Sequence, residues 1–518
     1  MGSQHYLIGI DIGTSGTKTA IFDSHGFLIA ESFIESSLYY PEKGAIEQNL
    51  DEIYYSVVNT VKECLEKSKI DPLNIEGISI DGQMAGICGI DKDWNAVTPY
   101  DSWLDTRCAG YINNFKEIER DVIKFSGGPL TYSHGPKMLW LKDKRPDVFK
   151  KVVKFVMPAA YVSGRIANLK AENAFIDYTY IHFSNFADII KSRWSDTLLD
   201  NFNFLRDKLP LIIKPHDIIG KISKKFALQT GLASGVPIAA GCGDQAANIL
   251  VAGINKPGMI FDVAGTASVF SVCTEKYVPD EENKTLFTAK TVFDDLWYAI
   301  AYVNGGGLNI RWFRDEIIKE KNCTFSLIGA NEYNAYDKLA SEIEPGSGDL
   351  FFIPHMNGSV CPINPNLKGA FIGLTWRHKK QNLYRALLES IAYEYAIYLN
   401  IERSLVPKME MSEARVIGGG SKSKLWNQIK ADVLGIPYLK LKREEFGTLG
   451  SAIIAGFATG VIKDMKEAAD NFNEIYYKLE PDKEKQKIYN KYSCIYLQLL
   501  SKTERLFNEL EHSFVYFS

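Results

Sequence analysis

Two segments of this chain close an apolar run with an aspartate and a glycine-threonine turn: Ile10-Asp11-Ile12-Gly13-Thr14-Ser15-Gly16-Thr17-Lys18 and, half a chain later, Phe261-Asp262-Val263-Ala264-Gly265-Thr266-Ala267-Ser268. Such a turn can hold phosphate. Glycine lets backbone N–H groups come close to phosphate oxygens, Thr and Ser hydroxyls donate further hydrogen bonds, and an Asp at the strand end suits Mg²⁺, which takes carboxylate and water ligands. Either turn alone reads equally well as a tight surface hairpin; two at half-chain spacing point to a nucleotide clamped between two halves.

A different chemistry is carried by Gly241-Cys242-Gly243-Asp244-Gln245-Ala246-Ala247, where a glycine-flanked acid leads into a helix-forming stretch. A carboxylate at a helix N-terminus is held as the anion, ready to accept a proton, and flanking glycines let a substrate approach it. Taken alone this is an ordinary Asp cap. Beside paired phosphate turns it becomes a candidate base for the hydroxyl that attacks an ATP γ-phosphate.

Gly418-Gly419-Gly420 and Asn304-Gly305-Gly306-Gly307-Leu308-Asn309-Ile310-Arg311 offer flat turns against which an adenosine can pack, and the triple glycine fits neither the dinucleotide nor the Walker pattern. Asp81-Gly82-Gln83-Met84-Ala85-Gly86 and Ser102-Trp103-Leu104-Asp105-Thr106-Arg107 combine apolar platforms with amides and carboxylates, the two surfaces a sugar needs. Met84 and Trp103, taken singly, are more commonly core residues.

Positioning these groups requires a repeated α/β unit. Each phosphate turn joins two strand-like runs (Tyr6 to Ile10 and Thr19 to Phe22; Met259 to Val263 and Val269 to Val272), which reads as a β-hairpin. In the first half a third strand is expected over 27–34, then a helix over 51–68 with Ile53, Tyr54, Val57, Val58, Val61 and Leu65 on one face, then a strand over 75–80. The second half repeats the theme with a strand over 297–303, a long helix over 382–405 and a strand over 414–417. Gly- and Pro-rich stretches at 231–241 and 253–258 suggest the crossover, which divides the chain into domains 1–252 and 253–518. The tail, 483–512, has the spacing of an amphipathic packing helix.

At 518 residues the chain exceeds one ordinary core, and its 46% hydrophobic and 24% charged content lies in the usual range for soluble proteins. A net charge of −4 makes no electrostatic case for nucleic acid, so any phosphate binding must be local. With no run of about 18 apolar residues and no charged-then-apolar leader, neither membrane nor secretion is expected, and the cytoplasm is the default. The eight cysteines are scattered without a Cys-x-x-Cys, which indicates neither zinc nor a disulfide framework, and Cys242 reads as a small buried thiol.

With these pieces in place the chain resembles the FGGY carbohydrate kinases from residue 6 to about 500. Gly369-Ala370-Phe371-Ile372-Gly373-Leu374, followed by Asn382-Leu383 and Ala386-Leu387-Leu388-Glu389, follows the family's C-terminal signature. Lys137-Met138-Leu139-Trp140-Leu141 agrees with the N-terminal signature, although His134 stands where Pro, Ser or Thr is usual. The resemblance implies two ribonuclease-H-like, actin-like ATPase domains around a central cleft, closing over ATP, Mg²⁺ and a sugar. It implies Asp244 as general base and Asp11 as metal-holding residue. Thr14, Ser15, Lys18, Gly265 and Thr266 would handle phosphates. Gly307, Arg311, Gly419, Gly420 and Lys424 fall where nucleotide contacts occur, and Gln83, Met84, Asp105, Tyr132 and Gln245 match the acceptor pocket.

The expected reaction is transfer of the ATP γ-phosphoryl group to a primary hydroxyl of a small sugar. Gly82-Gln83-Met84 and Trp103-x-Asp105-x-Arg107 are similar to xylulokinases and favour a ketopentose such as xylulose. Ala85 and Gln245 depart from that pattern and keep another polyol, an aldonate or a deoxysugar open. The Arg-Glu pair of glycerol kinases is missing near residue 83, which disfavours glycerol. An actin-like nucleotide switch is the alternative of a different class, and whether the chain forms a homodimer stays open.

Overall fold

The computed structural model describes residues 5–318, 332–443 and 446–514. They fall into two compact units, one comprising Met1–Asn255, Phe287–Trp297 and Glu445–Asn473, the other Lys256–Leu286, Tyr298–Glu444 and Glu474–Ser518.

The first unit is built on a mixed sheet ordered Ile218–Lys221, Pro237–Ala239, Ile75–Gly82, Tyr6–Ile12, Gly16–Asp23, Leu28–Glu35. The expected hairpin is present, with Ile12 opposite Thr17 and Asp11 opposite Lys18, and Tyr6–Ile12 runs parallel to Ile75–Gly82 on its other side. The helix Leu50–Ser68 starts at Asn49, whose side chain accepts from the Asp51 and Glu52 amides, and it buries the apolar face read from its spacing. A second helix, Gly447–Thr459, is buried along Gly447 to Gly456 and apolar nearly all round, which is what a helix enclosed by its own unit requires. It lies so close to the sheet that a Cβ on Gly9 would stand 1.6 Å from the Thr448 carbonyl oxygen; glycine is required there.

The stretch 231–241 is not a linker. It contributes the strand Pro237–Ala239 to this sheet, because Val236, Ile238 and Ala239 are apolar enough to be buried among its glycines.

The second unit repeats the scheme, its strands ordered Trp297–Val303, Ser268–Thr274, Met259–Ala264, Glu413–Ile417, Tyr438–Leu441, Ile475–Leu479. Its hairpin pairs Ala264 with Ser268, and Met259–Ala264 runs parallel to Glu413–Ile417. The long helix Lys380–Leu405 packs on this sheet, and the tail helix Lys483–Phe514 is tied to it by Tyr489 Oη to Glu389 Oε1 (2.9 Å) and Tyr496 Oη to Glu394 Oε1 (2.5 Å). The α/β class expected from the sequence is present, and the chain forms two units, the first of which also takes Phe287–Trp297 and Glu445–Asn473. No helix among the described residues is long and apolar enough to cross a membrane.

Candidate active site

In the first unit three strands end side by side, and each delivers a carboxylate. Asp11 closes Tyr6–Ile12, and Asp81 stands beside it in register near the end of Ile75–Gly82. The short strand Cys242–Gly243 pairs with that same end, Cys242 opposite Asp81, and its next residue, Asp244, opens the helix Asp244–Val251. Two hydroxyls fix the junction: Tyr180 Oη shares its proton between the carbonyls of Gly82 (2.9 Å) and Cys242 (3.0 Å), and Thr179 Oγ1 accepts from the Gly243 amide (2.9 Å).

Electrostatics follow from this crowding. Burial and the charge of Asp11 push the Asp244 carboxyl up to about 7, against the opposing pull of the Gln245 amide, which donates to Oδ1 at 2.6 Å. The Asp244 side chain nevertheless keeps part of its surface. Asp81 is fully enclosed; burial, then repulsion from Asp11, raises it well above the usual range even though Ser451 Oγ donates to Oδ2 at 2.7 Å. Asp11 is half-buried beside the N-terminus of Gly447–Thr459, where a Cβ on Gly447 would stand 2.9 Å from its Oδ2. Burial also drives the Cys242 thiol far up, so this cysteine is inert at neutral pH.

Gly447 and Ser451 were missed from the sequence, and Asp81 was read there only as part of a sugar-binding segment. A second acid in register with Asp11 was legible as a strand ending in Asp81-Gly82. The helix that supports both acids is contributed from residues 447–459, and only its small-residue pattern Gly447-x-x-Gly450-Ser451 hinted at so close a packing.

The first turn is bound to the acceptor segment. Thr14 Oγ1 donates to Gln83 Oε1 (3.1 Å) and accepts from Trp103 Nε1 (2.9 Å), while Gln83 Nε2 donates to Gln48 Oε1 (2.6 Å) and Gly13 O (3.5 Å). Gln83 thus braces the turn. Ser15 is exposed at its tip, whereas Lys18 forms an ion pair with Glu31 Oε2 at 2.8 Å on the neighbouring strand. Met84 is buried, with its thioether close against Gly243, and Ala85 adopts φ +62°, a left-handed conformation unusual for a residue with a Cβ. Asp105 is buried; its carboxylate accepts from the Ile46 amide (3.0 Å), the Arg107 amide (3.0 Å) and Arg107 Nε (2.9 Å). Tyr132 is half-buried, and Gln245 has its amide oxygen enclosed with no hydrogen-bond partner.

The second unit holds a cavity of about 480 Å³, large enough for a nucleoside. Gly265, Thr266, Gly307, Arg311, Gly419 and Gly420 all line it. Lys424 does not: it opens the helix Lys424–Leu434 and lies 6.0 Å from the Tyr477 ring, while Lys422 and Ser423 take the cavity wall. Asp337 and Tyr384, not singled out from the sequence, line it too.

Two of its glycines are steric necessities. A Cβ on Gly307 would lie 2.3 Å from the Gly265 carbonyl oxygen, and one on Gly420 would lie 2.5 Å from the Trp426 ring, whereas Gly419 faces open space. The carbonyls of Gly265 and Thr266 accept from the Gly307 (2.9 Å) and Leu308 (3.1 Å) amides at the start of the helix Gly306–Trp312. Asp262, the counterpart of Asp11, is instead fully buried against Lys430 Nζ (2.5 Å) and Tyr395 Oη (2.8 Å).

Comparison with known proteins gives this geometry its family. The description of the FGGY family of carbohydrate kinases matches residues 6–251 with its N-terminal domain and 262–459 with its C-terminal domain. The chain belongs to that family. It is similar to a gluconokinase of Bacillus subtilis (27% identity, 98% of this chain and 97% of the relative) and to a xylulose kinase of Staphylococcus epidermidis (25%, 98% and 99%). The crystal structure of xylulose kinase from Lactobacillus acidophilus shares its fold, with a TM-score of 0.88 at 22% identity over 99% of this chain and 100% of that one. The protein is therefore an ATP-dependent carbohydrate kinase with the two-domain FGGY fold, and nothing in the comparisons supports the nucleotide-switch alternative.

FGGY signature residues act here as supports. Lys137 is buried and donates to the carbonyls of Ser102 and Asp105, both at 2.8 Å, which fixes the segment carrying Trp103. Glu389 is buried among Arg385 Nε (2.8 Å), Ser347 Oγ (2.8 Å) and the Gly346 amide (3.1 Å), and the neighbouring Leu388 carbonyl accepts from Trp426 Nε1 (3.1 Å) in the cavity wall.

Proposed function

We propose that this kinase phosphorylates a primary hydroxyl of a neutral ketopentose such as xylulose, with Asp244 as general base. The observation that carries the reading is the placement of Asp244: a partly accessible carboxyl that opens a helix beside Asp11 and Asp81, where burial and the charge of Asp11 raise its affinity for a proton. Asp244 takes the proton of the attacking hydroxyl. Ser15 and the backbone amides of the first turn, and the turn of Gly265 and Thr266 in the second unit, bind phosphate oxygens, while the Thr14 hydroxyl braces its turn through Gln83 and Trp103; the cavity beside the second turn takes the nucleoside. Met84, Trp103 and Tyr132 supply the surfaces for the sugar.

Mg²⁺ fits Asp11. Among the described residues no group of three or more His, Cys, Asp or Glu forms a cage, and Mg²⁺ binds kinases through one or two carboxylates, water and substrate phosphates rather than through such a cage. The mutual repulsion of Asp11, Asp81 and Asp244 is what a cation relieves. When bound, the ion neutralises charge developing on the transferred phosphoryl group.

The preference for a neutral acceptor over an aldonate rests on the cations of the acceptor segment. Arg107 is committed to Glu47 (2.7 Å), Asp105 (2.9 Å), Asp101 (3.0 Å) and Glu42 (3.2 Å), and Lys137 to two carbonyls, so neither is free for a substrate carboxylate. ADP release measured with D-xylulose, other ketopentoses, polyols, deoxysugars and gluconate tests this directly. A ketopentose should give the highest kcat/KM; a clear preference for gluconate overturns the neutral-acceptor reading, and no sugar-dependent ADP release from any acceptor overturns the assignment of the site.

A further inference from the structure

The peptide bond that leads into Asp244 is gripped at both ends. The carbonyl of Cys242 accepts from Tyr180 Oη (3.0 Å), and the N–H of the same peptide, that of Gly243, donates to Thr179 Oγ1 (2.9 Å). A peptide group is planar, so fixing both ends fixes the plane, and with it the direction in which the chain enters Asp244. Gly243 caps the helix Asp244–Val251 and has no side chain to orient that end, so the orienting groups come from elsewhere in the fold.

They come from one buried turn. Asp177 ends the strand Phe175–Asp177, which runs parallel to Leu211–Ile213, and the Tyr178 amide extends that attachment by donating to the Ile213 carbonyl (3.1 Å). Asp177 Oδ1 accepts twice from Thr179, from its amide (2.9 Å) and from its hydroxyl (2.5 Å). Both side chains are buried. This decides the order of donors: an oxygen that already takes an amide N–H is an acceptor, so the Thr179 hydroxyl gives it its proton and leaves its lone pairs for the Gly243 N–H. A threonine free to turn can present its proton there instead, and the buried amide then loses its acceptor.

We propose that Asp177 is a positioning residue for phosphoryl transfer: it orients Thr179, which holds the peptide that aims the Asp244 carboxyl at the acceptor hydroxyl. This deepens the reading of Asp244 as general base and rests on it. A residue that acts in this way changes the reaction step and leaves the binding of ATP as it was.

The test is steady-state kinetics with a saturating sugar acceptor, with urea unfolding of each variant alongside. Thr179→Val keeps the shape and removes the acceptor; kcat should fall about 10- to 100-fold, with KM for ATP within about twofold of the wild type. Thr179→Ser restores the hydroxyl and should recover kcat to within about threefold. Asp177→Ala should match Thr179→Val, whereas Asp177→Asn, whose amide oxygen can replace Oδ1, should keep most of the rate. Because both residues act through one bond, the double variant Asp177→Ala/Thr179→Val should be no slower than Thr179→Val alone, and Thr179→Val should cost nothing further in Asp244→Asn. Where the valine variant fails to fold, Thr179→Cys, with a weak acceptor in the same place, should still lower kcat several-fold at an unchanged KM for ATP. A kcat near that of the wild type in Thr179→Val or Thr179→Cys overturns the inference, as do losses that multiply in the double variant or a matching rise in KM for ATP. Failure of the underlying reading looks different: Asp244→Asn itself would turn over like the wild type, whatever the Thr179 variants do.

Discussion

Replacing Asp244 with Asn should abolish catalysis and stabilise the fold, and the gain should depend on pH. The Asp244 carboxyl stands at about 7 in the folded chain against an ordinary 3.8. Between those values the folded state keeps a proton that the unfolded chain has lost, so stability falls as pH rises through the window and levels off above 7. Converted directly, the displacement is worth about 4 kcal/mol at pH 8; the carboxylate keeps some surface, and screening by water reduces this to about 2 kcal/mol. Asn has the same shape and no charge. In urea unfolding with EDTA and without nucleotide, Asp244→Asn should therefore be about 2 kcal/mol more stable than the wild type at pH 8, with the gain shrinking toward zero as pH approaches 4. Sugar-dependent ADP release should fall by several orders of magnitude, and the wild-type kcat/KM profile should fall on its acid side as the base becomes protonated, an arm that lies lower in pH at saturating Mg²⁺ because the ion offsets the charge of Asp11. A stability gain independent of pH, or turnover near that of the wild type, would refute the reasoning.

Tyr180→Phe removes the hydroxyl that bridges the Gly82 and Cys242 carbonyls; kcat should fall about tenfold with KM for ATP unchanged, alongside a stability loss of about 1–3 kcal/mol in urea unfolding. Lys430→Met leaves Asp262 buried and charged without its partner, which should cost about 3–5 kcal/mol; the double variant Asp262→Leu/Lys430→Met should recover most of it in the same assay. Gly447→Ala sets a methyl 2.9 Å from Asp11 Oδ2 and should raise the Mg²⁺ concentration needed for half-maximal activity while leaving binding of ATP to the protein, measured without sugar or Mg²⁺, intact.

Local signals survived into the structure wherever one stretch of chain settles its own conformation. Both hairpins, the helix after Asn49 and the long helix before Leu405 carry their caps, turns and apolar faces within a single window. Contacts made at long range did not. Ser451 reaches Asp81 across 370 residues, and Asp337 enters the nucleoside cavity from a helix whose own sequence shows no phosphate or base motif. Gln83 illustrates a subtler limit. Its type suggests a sugar ligand, yet both ends of its amide are engaged by Thr14, Gln48 and Gly13, a use that no spacing along the chain reveals. Lys424 shows the same in reverse: one residue of helix phase separates it from Ser423, and that turns its ammonium toward Tyr477.

The two halves carry the same Asp-Gly-Thr device and use it oppositely. Asp262 is neutralised by Lys430 and held by Tyr395, so the second turn contributes no net charge; its carbonyls engage the helix at Gly306, and its value to a ligand is its backbone. Asp11 faces two further acids instead, and burial, with their repulsion added to it, lifts Asp81 and Asp244 together. A buried ion pair that cancels its own charge can hold a fold but cannot draw a cation or a proton. The uncancelled negative charge of the first unit suits both parts of the proposed function, a divalent ion at Asp11 and a proton acceptor at Asp244. The two hairpins therefore differ in charge, and the proposed acid–base chemistry belongs with the first, whose carboxylates are not cancelled.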